Sequence, residues 1–329
     1  MKRLLIVLLL AAVVAPVFAD DALLIPGRVI RFRTIPSFSF ASEEFDKDAE
    51  RQSAINGSID NLNIWSLSFA LEVGLTDQIT VAAQWTPGWR ISSNVEAIDG
   101  LTAVQTTGTE NAQLTGLDDL FLGTKILIIG PDGFVPNDTI RFATSLGGVI
   151  PLATYDANET RDNFQSLSEY QAQRVGNDAF ALGARLHFDY IVTPVFFVNL
   201  YSETLYYFPR DLEVSDTSTT GAVSEAEYAY GYEQTFELDP QVRIPVAEGI
   251  TMSGSLAAAF TFTPDTEING TEVADSATQL LTLNPEVGAL FTVLPVPLEA
   301  KLQYTLPLYG VNTQATNTIA LQINTYLRY

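Results

Sequence analysis

The chain has 329 residues, no cysteine, 47% hydrophobic residues and a formal net charge of −22. That acidity argues against a nucleic-acid partner, which prefers basic faces, and without disulfides the fold must rest on burial and strand pairing. Beyond its first residues the chain has no apolar run of roughly eighteen, so no transmembrane helix is available and a helical inner-membrane protein is excluded.

Lys2 and Arg3 open the chain with positive charge, Leu4 to Val14 is an unbroken apolar run, and Pro16 breaks it. Val17-Phe18-Ala19 then offers small residues where a signal peptidase cuts. The apolar core is short for a bilayer, so residues 1–19 read as a cleaved secretory leader and residues 20–329 as one domain. The leader has no cysteine for lipid attachment, which excludes the lipoprotein route.

From Arg28 onward the dominant signal is alternation. Ile30, Phe32, Thr34, Pro36, Phe38 and Phe40 share one face, opposite Arg31, Arg33, Ser37 and Ser39. Trp65 to Leu75 repeats the pattern against Ser66, Ser68 and Glu72, and a tight Thr76-Asp77-Gln78 turn leads into Ile79, Val81, Ala83 and Trp85. Leu120 to Ile128 opposes Lys125, Ile140 to Ile150 opposes Arg141 and Ser145, and Leu182 to Tyr190 opposes Arg185, His187 and Asp189. Phe196 to Tyr206 opposes Asn199 and Glu203. Tyr228, Tyr230, Tyr232 and Phe236 to Ile244 oppose Glu233, Glu237, Asp239 and Arg243. Ile250 to Phe262 opposes a Ser/Thr face, Leu281 to Val293 opposes Asn284 and Glu286, and Leu298 to Leu306 opposes Glu299, Lys301 and Gln303. Ile319 to Tyr329 opposes Gln322, Asn324 and Arg328.

None of these segments, about twelve in number, places a charge on its apolar face. Lipid exposure demands that exclusion, because a charge at the bilayer midplane costs about 2–4 kcal/mol. A soluble sandwich also alternates, but tolerates charge at its apolar margins. Connections alternate too: Thr76-Gln78, Gly130-Asp138, Thr193-Pro194, Val246-Gly249 and Pro295-Pro297 are short, while 41–60, 90–116, 153–176, 209–227 and 264–277 are mostly long. The expected fold is all-β: a single antiparallel transmembrane barrel of about twelve strands, with short periplasmic turns, long extracellular loops and both termini on the periplasmic side.

The last segment ends in aromatic Tyr329 and resembles the terminal signal read by the outer-membrane barrel assembly machinery, with Tyr in the place usually held by Phe. Leu71-Glu72-Val73-Gly74-Leu75-Thr76-Asp77-Gln78-Ile79-Thr80 and Leu146-Gly147-Gly148-Val149-Ile150-Pro151-Leu152 resemble phrases of the outer-membrane proteins associated with the meta-pathway of phenol degradation. That resemblance implies an outer-membrane protein that moves small hydrophobic compounds. The long-chain fatty-acid channels are a more distant likeness; they carry an N-terminal plug, whereas here Asp20–Gly27 is expected to be too short to fill a barrel.

Function is therefore sought on the inward face. Its basic members are Arg31, Arg33, Lys125, Arg141, Arg185, Arg243, Lys301 and Arg328; its acidic members are Glu72, Asp189, Glu203, Glu233, Glu237, Asp239, Glu286 and Glu299. Basic groups fall on the first, last and fourth to sixth strands, and several acids on the seventh and eighth. That distribution allows either a transverse field steering polar solutes or a salt-bridged, water-poor lumen. Pro36, Pro87 and Pro285 each remove a ladder donor and mark candidate bulges, and with them a lateral opening for hydrophobic compounds. His187, the one histidine, has Asp189 and Arg185 rather than Ser two residues away, unlike barrel phospholipases, and is expected to be a lumenal histidine in an ionic network. No cofactor, metal or catalytic set is expected: Asp46-Lys47-Asp48-Ala49-Glu50 lacks the glycine and distal glutamate of a calcium loop. The reading is a channel for small solutes, hydrophobic or aromatic compounds among them; the alternative is a non-transporting structural or adhesive barrel acting through its acidic loops.

Overall fold

The computed structural model describes residues 22–53, 59–97, 111–113, 116–152, 179–215 and 223–329. Residues 1–21, which include the expected leader, and residues 54–58, 98–110, 114–115, 153–178 and 216–222 lie outside the described residues. Twelve long strands carry the fold: β1 Val29–Ala41, β2 Ile59–Thr76, β3 Ile79–Ala97, β4 Leu120–Gly130, β5 Ile140–Ile150 and β6 Ala181–Thr193, then β7 Phe196–Tyr207, β8 Gly231–Ala247, β9 Ile250–Thr263, β10 Thr278–Phe291, β11 Leu298–Val311 and β12 Asn317–Arg328.

Each pairs antiparallel with its neighbours in sequence, and β1 pairs with β12 from Val29↔Arg328 to Phe40↔Asn317, which closes the barrel. Closure at this seam leaves neither the first nor the last strand with a free edge, so the backbone donors and acceptors there meet partners rather than lipid. The periplasmic turns are tight. Gly249 adopts φ +67° in the Glu248–Gly249 turn between β8 and β9, the left-handed conformation that glycine tolerates without a Cβ penalty.

Alternation fixes which face each side chain takes. Leu146, Leu182, Leu186, Leu200, Phe236 and Val287 are exposed on the outer wall, at 47–63%. Aromatic rings gather there in ladders, as in Phe32–Phe69–Trp85, whose successive centroids lie 6.2 and 6.0 Å apart. Residues of the opposite parity are buried inside, as with Ser68, His187, Asp189, Asn199, Asp239 and Asn324, all at 0%.

On the opposite side two small sheets cover the mouth: Glu44–Phe45, Arg51–Gln52 and Thr313–Gln314 form one, and Arg210–Ser215, Val223–Ala229, Glu267–Ile268 and Thr271–Glu272 the other. This corrects the placement of Tyr228. It lies in Val223–Ala229, is 2% exposed, and belongs to the cap rather than to the lipid face of β8, which starts at Gly231. Strand β3 also runs farther than expected, to Ala97.

Replacing Leu186, midway along β6, by Arg should destabilise the barrel by about 2–4 kcal/mol, and Val246→Arg, next to a periplasmic turn, by about 0–1 kcal/mol. Urea unfolding in lipid vesicles measures both, and equal costs would contradict this placement of the membrane.

Candidate functional site

The inward charges do not stand apart as two opposed fields. They pair across adjacent strands. Arg31 faces Glu72 in register and binds it through two guanidinium nitrogens, and Arg33 Nη2 lies 3.7 Å from the same carboxylate. Arg141 faces Asp189 at 2.7 Å, and Arg185 faces Glu203 in an ion pair. Lys301 Nζ lies 2.9 Å from Glu286, on the next strand. Glu299 accepts hydrogen bonds from Asn324 Nδ2 at 2.7 Å and Tyr326 Oη at 2.9 Å. Lys125 and Glu237 are buried on the same face, Glu233 is half-buried, and Arg243 lies over the Phe197 ring at 5.0 Å. Arg328 has inward parity but lies at the exposed periplasmic end of β12, outside this belt. The arrangement is that of a salt-bridged interior.

Arg185 also reaches across the barrel. Arg185 Nη1 donates to Gln84 Oε1 at 2.6 Å, linking β6 to β3, while the guanidinium lies 3.8 Å over the Phe121 ring of β4. Strands three positions apart can meet only through the interior, so this bond also fixes the inward direction. Beneath Phe121, Gly123, Gly147 and Gly183 stand in one register row, and a Cβ on Gly123 or Gly147 would come within 2.6 Å of that ring.

The segment before β1, expected to be too short to fill a barrel, nonetheless enters it. Ala22 N donates to both Asp189 carboxylate oxygens at 3.2 Å, and Leu24 packs on Leu127 and Ala143. Ala22 and Ile25 are 0% and 5% exposed. The strap reaches the wall opposite β1 because six extended residues span about 20 Å. It leaves the wall over Gly74, where a Cβ would stand 2.1 Å from the Pro26 carbonyl oxygen, so only glycine fits.

His187 is fully buried, with Nε2 3.2 Å from Ser145 Oγ and its ring 5.1 Å from Tyr201. Ser145 lies on β5, so the contact comes from sheet register rather than from a sequence motif, and no solvent reaches the imidazole. Among the described residues no group of three His, Asp or Glu side chains gathers to hold a metal ion. Outside the membrane, Asp46 Oδ1 accepts from the Glu50 and Asp48 amides at 2.9 Å, and these bonds, led by that of Glu50, hold its pKa below the ordinary carboxylate value. The acidic pentapeptide thus closes its own turn.

Alternation places the neutral amides Asn199, Asn284 and Asn324 inward along with the charges, but leaves out Gln84 and the inward apolar groups Ile35, Leu62 and Phe121. Strand parity is the signal that finds these four as well.

The pattern of the family described as putative MetA-pathway of phenol degradation matches residues 96–323. Among solved structures, an outer-membrane channel from Pseudomonas putida F1 superposes with a TM-score of 0.62 at 14% identity, covering 94% of this chain and all of that one. The Ralstonia pickettii toluene transporter TbuX gives a TM-score of 0.45 at 9% identity, covering 94% of this chain and 91% of its own. A FadL homologue from Pseudomonas aeruginosa gives 0.38 at 10%, covering 92% and 90%. The first of these shares the outer-membrane channel fold; the other two lie below the similarity that carries an argument. Comparison with curated proteins gives no significant match.

Asp189→Ala should cost about 3–5 kcal/mol, because it strands the buried Arg141 charge, and should free the strap to protease at residues 22–28. The double variant Arg141→Met/Asp189→Leu should regain most of the stability and keep the loose strap. Unfolding midpoints and limited proteolysis separate the two effects; a strap that stays protected in both variants would contradict its anchoring at Asp189.

Proposed function

The chain belongs to the family described as putative MetA-pathway of phenol degradation, and from that premise we propose that it is an outer-membrane channel for small hydrophobic compounds, which leave it sideways through the wall. The observation that carries the lateral route is the seam between β3 and β4. Pairing runs from Ile79↔Ile126 to Trp85↔Leu120, stops, and is taken up beyond the break only at Trp89↔Leu117, on the short strand Gly116–Leu117.

Pro87 stands in the gap and has no N–H to give the ladder. Strand β3 also slips in register against β2 between Leu67 and Phe69, opposite the same stretch. Pro36 and Pro285 also fall in short gaps of one neighbouring ladder, against β12 and β11, but there the register resumes unchanged, whereas beyond Pro87 it resumes one residue out of step. The indole N–H of Trp85 donates to the Asp118 carbonyl at 2.8 Å and forms one lip of the break.

The break is about 20 Å along β3 from its turn at ~3.4 Å per residue. Tilted by about 40°, that is roughly 15 Å of height, inside an apolar band about 25 Å tall. A compound leaving there meets lipid, and the alternative path straight through the interior is crowded by paired charge. On this reading the chain carries hydrophobic compounds as a class.

Residues 1–19 act on this reading as a leader removed after Ala19. The burial of Ala22 against Asp189 supports it, since an attached apolar leader would have to share the polar interior. The mass of the protein purified from outer membranes should correspond to a chain starting at Asp20; a chain retaining Met1 would contradict it. Assembly machinery would read the last strand, with Tyr329 at its end.

Proteoliposomes containing the barrel should take up toluene or phenol faster than protein-free vesicles. Pro87→Val, which restores a donor to the ladder, should slow that uptake without lowering the unfolding midpoint. Uptake equal to that of empty vesicles would overturn transport and favour a structural or adhesive barrel. Normal uptake by Pro87→Val would overturn the lateral route alone.

A further inference from the structure

The smaller of the two sheets over the mouth is built around a hairpin, residues 43–52, that closes on itself. Asp46 N donates to the Glu50 carbonyl at 3.0 Å, Ala49 N to the Asp46 carbonyl at 3.1 Å, and Gln52 Nε2 to Asp46 Oδ2 at 2.8 Å. Its strands Glu44–Phe45 and Arg51–Gln52 pair with each other, and Glu44–Phe45 also pairs with Thr313–Gln314. Beyond that two-residue ladder, it is tied to the barrel by single bonds. Ala315 N donates to the Glu43 carbonyl at 2.9 Å, Asn312 N to the Asp46 carbonyl at 3.1 Å, and Arg51 Nη2 to the Pro307 carbonyl at 2.8 Å.

Phe45 seats the hairpin. The ring is 3% exposed and packs with Leu280 of β10 and Ala315, under the Arg51 guanidinium at 5.0 Å. Leu280 faces Gly310 of β11 in register, and a Cβ on Gly310 would stand 2.5 Å from Phe45 Cδ2. The socket therefore exists because residue 310 has no side chain.

Seating the ring has an opposing cost. Along the segment the hairpin lies against, Gln314 and Thr316 are 2% and 5% exposed. Both amide atoms of Gln314, and Thr316 Oγ1, are sealed with no hydrogen-bond partner. Folded proteins keep few such groups, and water would satisfy all three once the hairpin lifted. Apolar burial of Phe45 thus favours the closed mouth, and the dry amide and hydroxyl favour the open one. Hydrophobic cargo could take the vacated socket only in the open state, and such differential binding is what shifts a two-state equilibrium.

We propose that residues 43–52 are an extracellular lid, seated by Phe45 in the Gly310 socket, latched by Arg51 and lifted as hydrophobic cargo enters. The cargo's part rests on the channel reading above; the lifting does not.

Two measurements on the folded barrel test it. The chain has no cysteine of its own, so Gln314→Cys reports the lid alone. A membrane-impermeant maleimide should label that thiol slowly, and at least ten-fold faster when Arg51→Met removes the latch. A thiol labelled only after denaturation, or at one rate in both proteins, would overturn the lid. Glu44→Cys/Gln314→Cys joins two residues that face each other in register. In proteoliposomes, its oxidised form should take up toluene at least ten-fold more slowly than its reduced form. Equal uptake by the two forms would overturn the lid's part in entry. Should the reduced variant and the unaltered barrel both match protein-free vesicles, the channel reading fails, and the labelling still decides whether the lid opens.

Discussion

The constraint on which the rest depends is that no backbone N–H or C=O may face hydrocarbon unpaired. Strand β1 meets β12 along its length, and Tyr329 N donates to the Arg28 carbonyl at 3.1 Å where the two ends come together. Once the sheet is closed, its period of two sorts every side chain to lipid or to the interior. An apolar outer wall then forces the polar residues inward, and a twelve-stranded interior is too narrow to leave all of them in bulk water.

The interior meets that crowding by pairing charges between neighbouring strands. Arg31 with Glu72, Arg141 with Asp189 and Arg185 with Glu203 are direct register partners, so the strand alignment that closes the barrel also neutralises it. The strap adds its backbone at Asp189, and Arg185 reaches across to Gln84. What remains is a filled interior and a wall broken at Pro87, which together favour passage through the wall over passage along the axis.

Much of this was legible in the sequence because period-two patterning and charge exclusion are local. The parity of Arg141, Arg185 and Asp189 could be read directly from their strands. Their partners could not, because pairing depends on register, and register is set by turns and bulges. Tyr228 shows the limit in another way: its alternation continues that of β8, yet the chain breaks at Gly231 and the residue joins the cap. The strap escaped for a third reason. Ala22 to Pro26 has no periodic signal, and its place follows from contacts with Asp189 and Gly74, far away in the chain.

The central claim is that paired polar side chains and the strap fill the interior, so that cargo must leave through the wall. Single-channel recording in planar bilayers tests it most directly. The account predicts small or no steady ionic current from the folded barrel, with current appearing when residues 20–27 are deleted. A large, stable ohmic conductance from the intact protein would contradict it.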